Sequence, residues 1–274
     1  MNKKADTGTF WDHLDELRSV LFKISLVVIF CGIGAFLFKD ILFEIVFAPK
    51  KEDFITYRWL EKIAGIFYGP SEEGFDISLI NTGLAQQFVV NMKTAFCFGF
   101  LCASPYILYQ LFRFVSPALY EDERRYAVQV VGSGYLMFMT GVIIGYLLIF
   151  PLTFRFLGTY QVSEEVTNMI SLDSYMSTLV LICIAMGIVF ELPVISWLFA
   201  KMGLLSSSFM KTYRKHSIVA ILIVAAIITP TSDVFTLLFV SLPMYLLYEG
   251  SIILVKISEA KRNRDIPCKT AIPT

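Results

Sequence analysis

The sequence predicts an all-α polytopic membrane protein of six transmembrane helices, and three observations carry that reading. Hydrophobic residues make up 56% of the 274-residue chain and charged residues only 17%, against about 25% charged in soluble domains. Mean hydropathy is +0.67, and 25 Phe with 13 Tyr dominate the aromatic share. The apolar residues also gather in runs separated by charge, and a soluble domain of this length has too little interior to hide them. The balance of 23 basic and 23 acidic residues excludes a nucleic-acid binder, which needs a basic surplus. It excludes a disordered chain as well, which would be polar and charged.

A crossing helix needs about 20 mostly apolar residues, because the hydrocarbon is about 30 Å thick and a helix rises about 1.5 Å per residue. Taken in order, the runs are Val20 to Phe38, Thr94 to Phe112, Tyr126 to Phe154, Tyr175 to Ala200, Ser217 to Ile228 and Val234 to Val255. The fifth is short, and Thr229-Pro230-Thr231-Ser232-Asp233 turns it into the sixth, so this pair reads as a hairpin whose first arm falls short of a full crossing. Residues 1–261 form a single membrane domain, residues 40–87 the largest loop, and 262–274 a tail. Ahead of the first span, Phe10, Leu14, Leu17 and Leu21 recur at helical spacing, which predicts a separate amphipathic helix lying on the membrane surface. Four acids and the lack of a small-residue cleavage site argue against a signal peptide.

Lys and Arg set the orientation. With the N-terminus in the cytoplasm, that side collects Lys3, Lys4, Arg18 and Lys23, then Arg113, Arg124 and Arg125, then Lys201 to Lys215 and Lys256 to Lys269. The far side keeps a minority, chiefly Lys39 to Lys62 with Lys93 and Arg155. The expected topology therefore has both termini inside. Cys31, Cys97, Cys102 and Cys183 lie in apolar runs and Cys268 in the tail, none at metal-ligand spacing. With only His13 and His216 for imidazoles, no metal site is expected.

Inside the membrane Glu191 is the costly residue. It lies ten residues before Lys201, about 15 Å deep at 1.5 Å per residue, where a carboxylate costs at least about 2.5 kcal/mol. It should face a protein interior or a water-filled cavity, as a functional group or as a protonated acid bonded to a neighbouring helix. Pro193 frees the carbonyl of Val189 and predicts a kink there. Pro105 and Pro243 are expected to interrupt spans two and six. Glu249, seven residues before Lys256, is expected near the headgroups. Asp233, at the hairpin turn, can cap the sixth helix. The segment Phe112 to Arg125 carries Ser116 and Pro117 as a helix entry, followed by acids and arginines; by itself it is also readable as a solvated face.

Four motifs in order, HLDELR (13–18), SPALYEDERR (116–125), FELP (190–193) and TPTSDVF (229–235), resemble the TatC family, the C subunit of the twin-arginine protein translocase. The resemblance spans the chain apart from Lys50 to Phe75 and the tail after Lys261. It implies a curved, cup-like arrangement of the six helices with the last two short. It also implies a receptor for signal peptides bearing consecutive arginines, working with single-span TatA/TatB-type partners in an oligomeric complex of a prokaryotic plasma membrane, driven by the proton-motive force. The positions matching the family's peptide-binding residues are Glu16, Phe114 and Glu123. A guanidinium pairs with a carboxylate through two parallel hydrogen bonds, so two carboxylates suit two arginines, and Phe114 suits the apolar residues that follow. Glu191, Tyr146 and Asp233 match the family's intramembrane polar positions. The long segment after span one and Leu237, where many relatives have Gln, depart from the pattern; Pro49 matches the far-side cap proline loosely.

A small-solute or proton-coupled transporter with Glu191 as relay is the alternative, but the paired halves of such folds are missing. An intramembrane protease would need a Ser/His pair, paired Asp or HExxH. Neither catalytic residues nor a cofactor are expected.

Overall fold

The computed structural model describes residues 10–51, 53–59, 78–115, 127–161, 163, 168–229 and 234–265. Helix α1 (Phe10–Leu37) is unbroken. The separate surface helix expected before the first span is therefore the first turns of the span helix itself. No proline or glycine stands between Leu14 and Cys31 to end it, and at about 42 Å it outreaches the hydrocarbon. It lies against α3 (Gln86–Val115), and the two backbones touch at a glycine pair. A Cβ on Gly99 would fall 2.6 Å from the Cα and the nitrogen of Gly32. The opposite face of α1 shows Phe22, Leu26, Phe30 and Ile33 to the surroundings, as a lipid-facing helix should.

From Phe38 the chain turns into α2 (Lys39–Phe47) and a 3₁₀ turn (Ala48–Lys50) with Pro49 buried. A helical turn at residues 55–59 follows. This end of the molecule is the far side, opposite the start of α1. Helix α3 begins there after the two-residue strand β1 (Leu79–Ile80), which pairs in parallel with β2 (Ile170–Ser171) ahead of the fourth span. The two span entries are thus tied together.

Span three is α4 (Ala127–Ile144), a π-helical turn (Gly145–Ile149) and α5 (Phe150–Thr159) in sequence. Span four is α6 (Leu172–Phe190), a break at Glu191, and α7 (Leu192–Lys201). The break matches the Pro193 expectation. Pro105 and Pro243, by contrast, sit inside continuous helices. Pro105 cannot donate to the carbonyl of Leu101, and the Ser104 hydroxyl donates to it instead at 2.7 Å, the local repair that keeps a proline helix intact in a membrane. On the near side, α8 (Ser207–Thr212) is capped by the Ser206 hydroxyl. The short α9 (Arg214–Ile228), 15 residues, spans about 22 Å. Then α10 (Val234–Asp265) returns to the near side.

Among the described residues five helices are long and apolar enough to cross a bilayer, and α9 is the short sixth. The main core lies where spans three and four pack, around Ile149, Phe150, Tyr175, Met176, Ile182 and Met186. Gly141 sets that approach, since a Cβ there would meet the Met186 carbonyl at 2.5 Å.

Candidate functional site

The near-side end of α1 carries Glu16, exposed, and the last turn of α3 carries Phe114, half-buried. These helices run antiparallel from the Gly32–Gly99 contact. Glu16 lies about 24 Å back along α1 from that contact and Phe114 about 22 Å forward along α3, so the structure brings both to one level. Glu123 and Asp233 lie outside the described residues.

Glu191 occupies the break between α6 and α7, its backbone N–H donating to Ile188 O at 3.1 Å and its carbonyl accepting from Ile195 at 2.9 Å. Its side chain turns toward α4, where Gly134 makes room. A Cβ on Gly134 would lie 3.2 Å from Oε2 and 3.5 Å from Oε1. The carboxyl looks into an open groove of about 520 Å³ between spans two, three and four, walled by Phe100, Phe112, Val131, Phe138, Val194 and Leu198. Oε1 is buried and meets no hydrogen-bond partner among the described residues. A buried carboxyl oxygen left in that state is expensive, so the groove is chemically unfinished.

Tyr146 does not join Glu191. It sits 12 residues beyond Gly134, about 18 Å along span three, and its hydroxyl donates to Ile45 O at 2.6 Å. That bond is one of a set fixing the far-side segment. The Tyr175 hydroxyl donates to Val46 O at 2.8 Å. The Tyr57 hydroxyl lies 3.0 Å from Pro49 O and 3.2 Å from Pro151 O. The Thr56 hydroxyl donates to Leu147 O, the carbonyl that Pro151 leaves without its helical donor. Burial pushes the Tyr57 phenol well above its usual range, and the Arg155 guanidinium, 5.5 Å over its ring, pulls it back only in part. Tyr146 was expected as an intramembrane polar site, and its hydroxyl serves here as a pin.

Sequence reasoning missed Thr56 and Tyr57. Lys93, counted from the sequence only toward the far-side charge, pairs with Asp173 at 2.5 Å, with Ser177 alongside at 3.1 Å. Glu249, expected near the headgroups, holds Arg214 at 2.6 Å and accepts from the Tyr245 hydroxyl at 3.1 Å. Glu259 accepts from the Ser207 hydroxyl and backbone. A proline inside a span does announce that the carbonyl four residues earlier needs a donor, and that signal points to Leu147; it does not say that Thr56 supplies it.

The family model described as Sec-independent protein translocase protein (TatC) matches residues 12–243. The chain belongs to the TatC family. It is 33% identical over 257 residues to the Sec-independent protein translocase protein TatC of Blattabacterium sp. subsp. Periplaneta americana, covering 92% of this chain and 96% of that one. To TatC of Aquifex aeolicus it is 32% identical over 253 residues, with 92% and 96% covered. A crystal structure of the twin arginine translocase receptor TatC superposes with a TM-score of 0.72 at 31% identity, over 90% of this chain and 99% of that one. A second, solved in the detergent DDM, gives 0.72 at 32% identity. The fold is therefore the six-helix, cup-like TatC fold, and the chain is a core subunit of the twin-arginine translocase rather than a small-solute transporter.

Proposed function

We propose that the near side of this chain faces the cytoplasm of a prokaryotic cell and reads the arginine pair of export signals. In this reading both termini are inside the plasma membrane. Glu16 takes one guanidinium and Glu123 the other, each through a two-pronged, charge-assisted pair. Phe114 supports the apolar residues that follow. The observation that carries the reading is the common level of exposed Glu16 and half-buried Phe114 at the end of the α1–α3 pair, from which the chain runs on to Glu123. Membership of the TatC family supports it. Asp233 and Glu191 serve inside the membrane, and single-span TatA/TatB-type partners join to form the pore, driven by the proton-motive force. The receptor acts by binding, with no covalent step.

Crosslinking of a twin-arginine signal peptide to protein in inner-membrane vesicles tests this. Glu123→Ala and Glu123→Gln should abolish the crosslink while the protein still inserts. Undiminished crosslinking in the double variant Glu16→Ala/Glu123→Ala would overturn the assignment.

A further inference from the structure

The far-side ends of spans three and four enclose a second, smaller space of about 210 Å³ that shares no residue with the groove at Glu191. Its walls come from α5, from residues 168–170 and from the first two turns of α6. Thr153 lies on it at 1% exposure, and its Oγ1 is buried with no hydrogen-bond partner among the described residues. The hydroxyls of Thr94, Thr140 and Thr159 each donate to the carbonyl four residues earlier. Thr153 does not follow them, and an unmet buried hydroxyl is costly.

The rest of the wall adds groups of matching chemistry. Asn168 spends its amide nitrogen on Gly158 O at 2.9 Å and Tyr160 O at 2.8 Å, which leaves Oδ1 as an acceptor. The hydroxyls of Ser174 and Thr178 stand one turn apart on α6. Phe154 and Leu157 supply an apolar flank, and no Lys, Arg, Asp or Glu lines the space among the described residues.

Level, charge and size narrow the occupant. Thr153 lies six residues before the end of α5 and Thr178 six after the start of α6. Both are thus about 9 Å below the span ends, where headgroups give way to glycerol and acyl chain. With no ionic side chain on the wall, an occupant of net charge would go uncompensated. A water takes about 30 Å³, so one bridging water leaves most of the space empty. The volume also falls short of the about 300–1,000 Å³ that encloses a whole ligand, so it suits a headgroup whose tail stays outside.

We infer that this pocket seats the headgroup of a zwitterionic, amine-bearing phospholipid of the far-side leaflet, of the phosphatidylethanolamine class. Phosphate and ester oxygens accept from the Thr153, Ser174 and Thr178 hydroxyls, and the ammonium donates to Asn168 Oδ1. The acyl chains leave past Phe154 and Leu157, and the lipid ties the far ends of spans three and four together. A choline headgroup keeps the charge balance but has no N–H to donate. A glycerol headgroup can donate but brings an uncompensated negative charge.

The full chain, purified in detergent and stripped of lipid, is titrated with short-chain phosphatidylethanolamine, phosphatidylcholine and phosphatidylglycerol, and bound copies are counted by native mass spectrometry. The wild type should take one phosphatidylethanolamine saturably, at least about tenfold tighter than either other lipid. Thr153→Val keeps the shape and should lose that preference, whereas Thr153→Ser should retain it. Leu157→Trp fills the space and should abolish the saturable copy; Ile33→Trp, on the exposed face of α1, should leave it. Thr178→Val, at a half-buried position, reads the same loss if Thr153→Val fails to fold. Equal affinity of the wild type for all three lipids means annular lipid only and overturns the assignment. An ethanolamine preference that survives Thr178→Val and Leu157→Trp overturns it too. Competition by free phosphoethanolamine as strong as by the whole lipid overturns the lipid as the source.

Discussion

On the far side of the molecule the irregular backbone is matched with donors, whereas on the near side of the same helices a carboxyl oxygen stands in a groove without one. Span three bends through a π turn and Pro151, and the carbonyl this frees is taken by Thr56, with Tyr57, Tyr146 and Tyr175 bonded to neighbouring carbonyls. Span four breaks at Glu191 ahead of Pro193, and there Oε1 remains unmet among the described residues. Both regions use a proline to interrupt a membrane helix. One closes the interruption with tertiary hydrogen bonds and becomes a rigid rim; the other leaves it open toward a space. In a bilayer a buried polar group without a partner is costly, so the carbonyls of the first region are met within the fold while Glu191 Oε1 in the second is not.

That contrast breaks most readily on the far side. Tyr57 is buried at 2% exposure and holds two carbonyls. Tyr57→Ala should cost about 3–5 kcal/mol, the range for deleting a buried aromatic, read as a large fall in thermal unfolding temperature in detergent. Thr56→Val keeps the shape but leaves Leu147 O without its donor, and should cost about 1–3 kcal/mol in the same assay. Alkaline pH probes the rim without mutation. The phenol of Tyr57 is raised by burial, so the stability it contributes is fully present below the unfolded-state value of about 10. It is lost as pH rises through the raised folded-state value; Tyr57→Phe should flatten that part of the decline. The Lys93–Asp173 pair is roughly 40% exposed on both sides (39% and 42%), and Lys93→Met should cost under about 1 kcal/mol. Smallest of all on stability is Glu191→Ala, which removes an unpartnered polar group and should leave the unfolding temperature unchanged. Its effect belongs in export of a folded cargo, expected to fall at least about tenfold, with Glu191→Gln retaining more.

The near-side half of this picture was legible in the chain because its signals are local. Runs of about 20 apolar residues mark spans, a carboxylate ten residues from the end of one is conspicuous by cost, and Pro193 places the break. The far-side half was not legible. Thr56 meets Leu147 across 91 residues and Tyr57 meets Pro151 across 94, and no period or motif links such pairs. Tyr146 is legible as a polar residue in a span, but only the fold shows that its hydroxyl donates to Ile45 O. The surface helix failed for a plain reason: an amphipathic pattern followed by an apolar run, with no breaker between, is one helix.

The most direct test of the account is the affinity of the reconstituted chain for two signal peptides that differ only in carrying an arginine pair or a lysine pair. The account predicts at least about tenfold preference for arginine, from the fork geometry that lysine lacks, and its disappearance in Glu16→Ala/Glu123→Ala. Equal affinity of the wild type for both peptides, or full preference retained in the double variant, would contradict it.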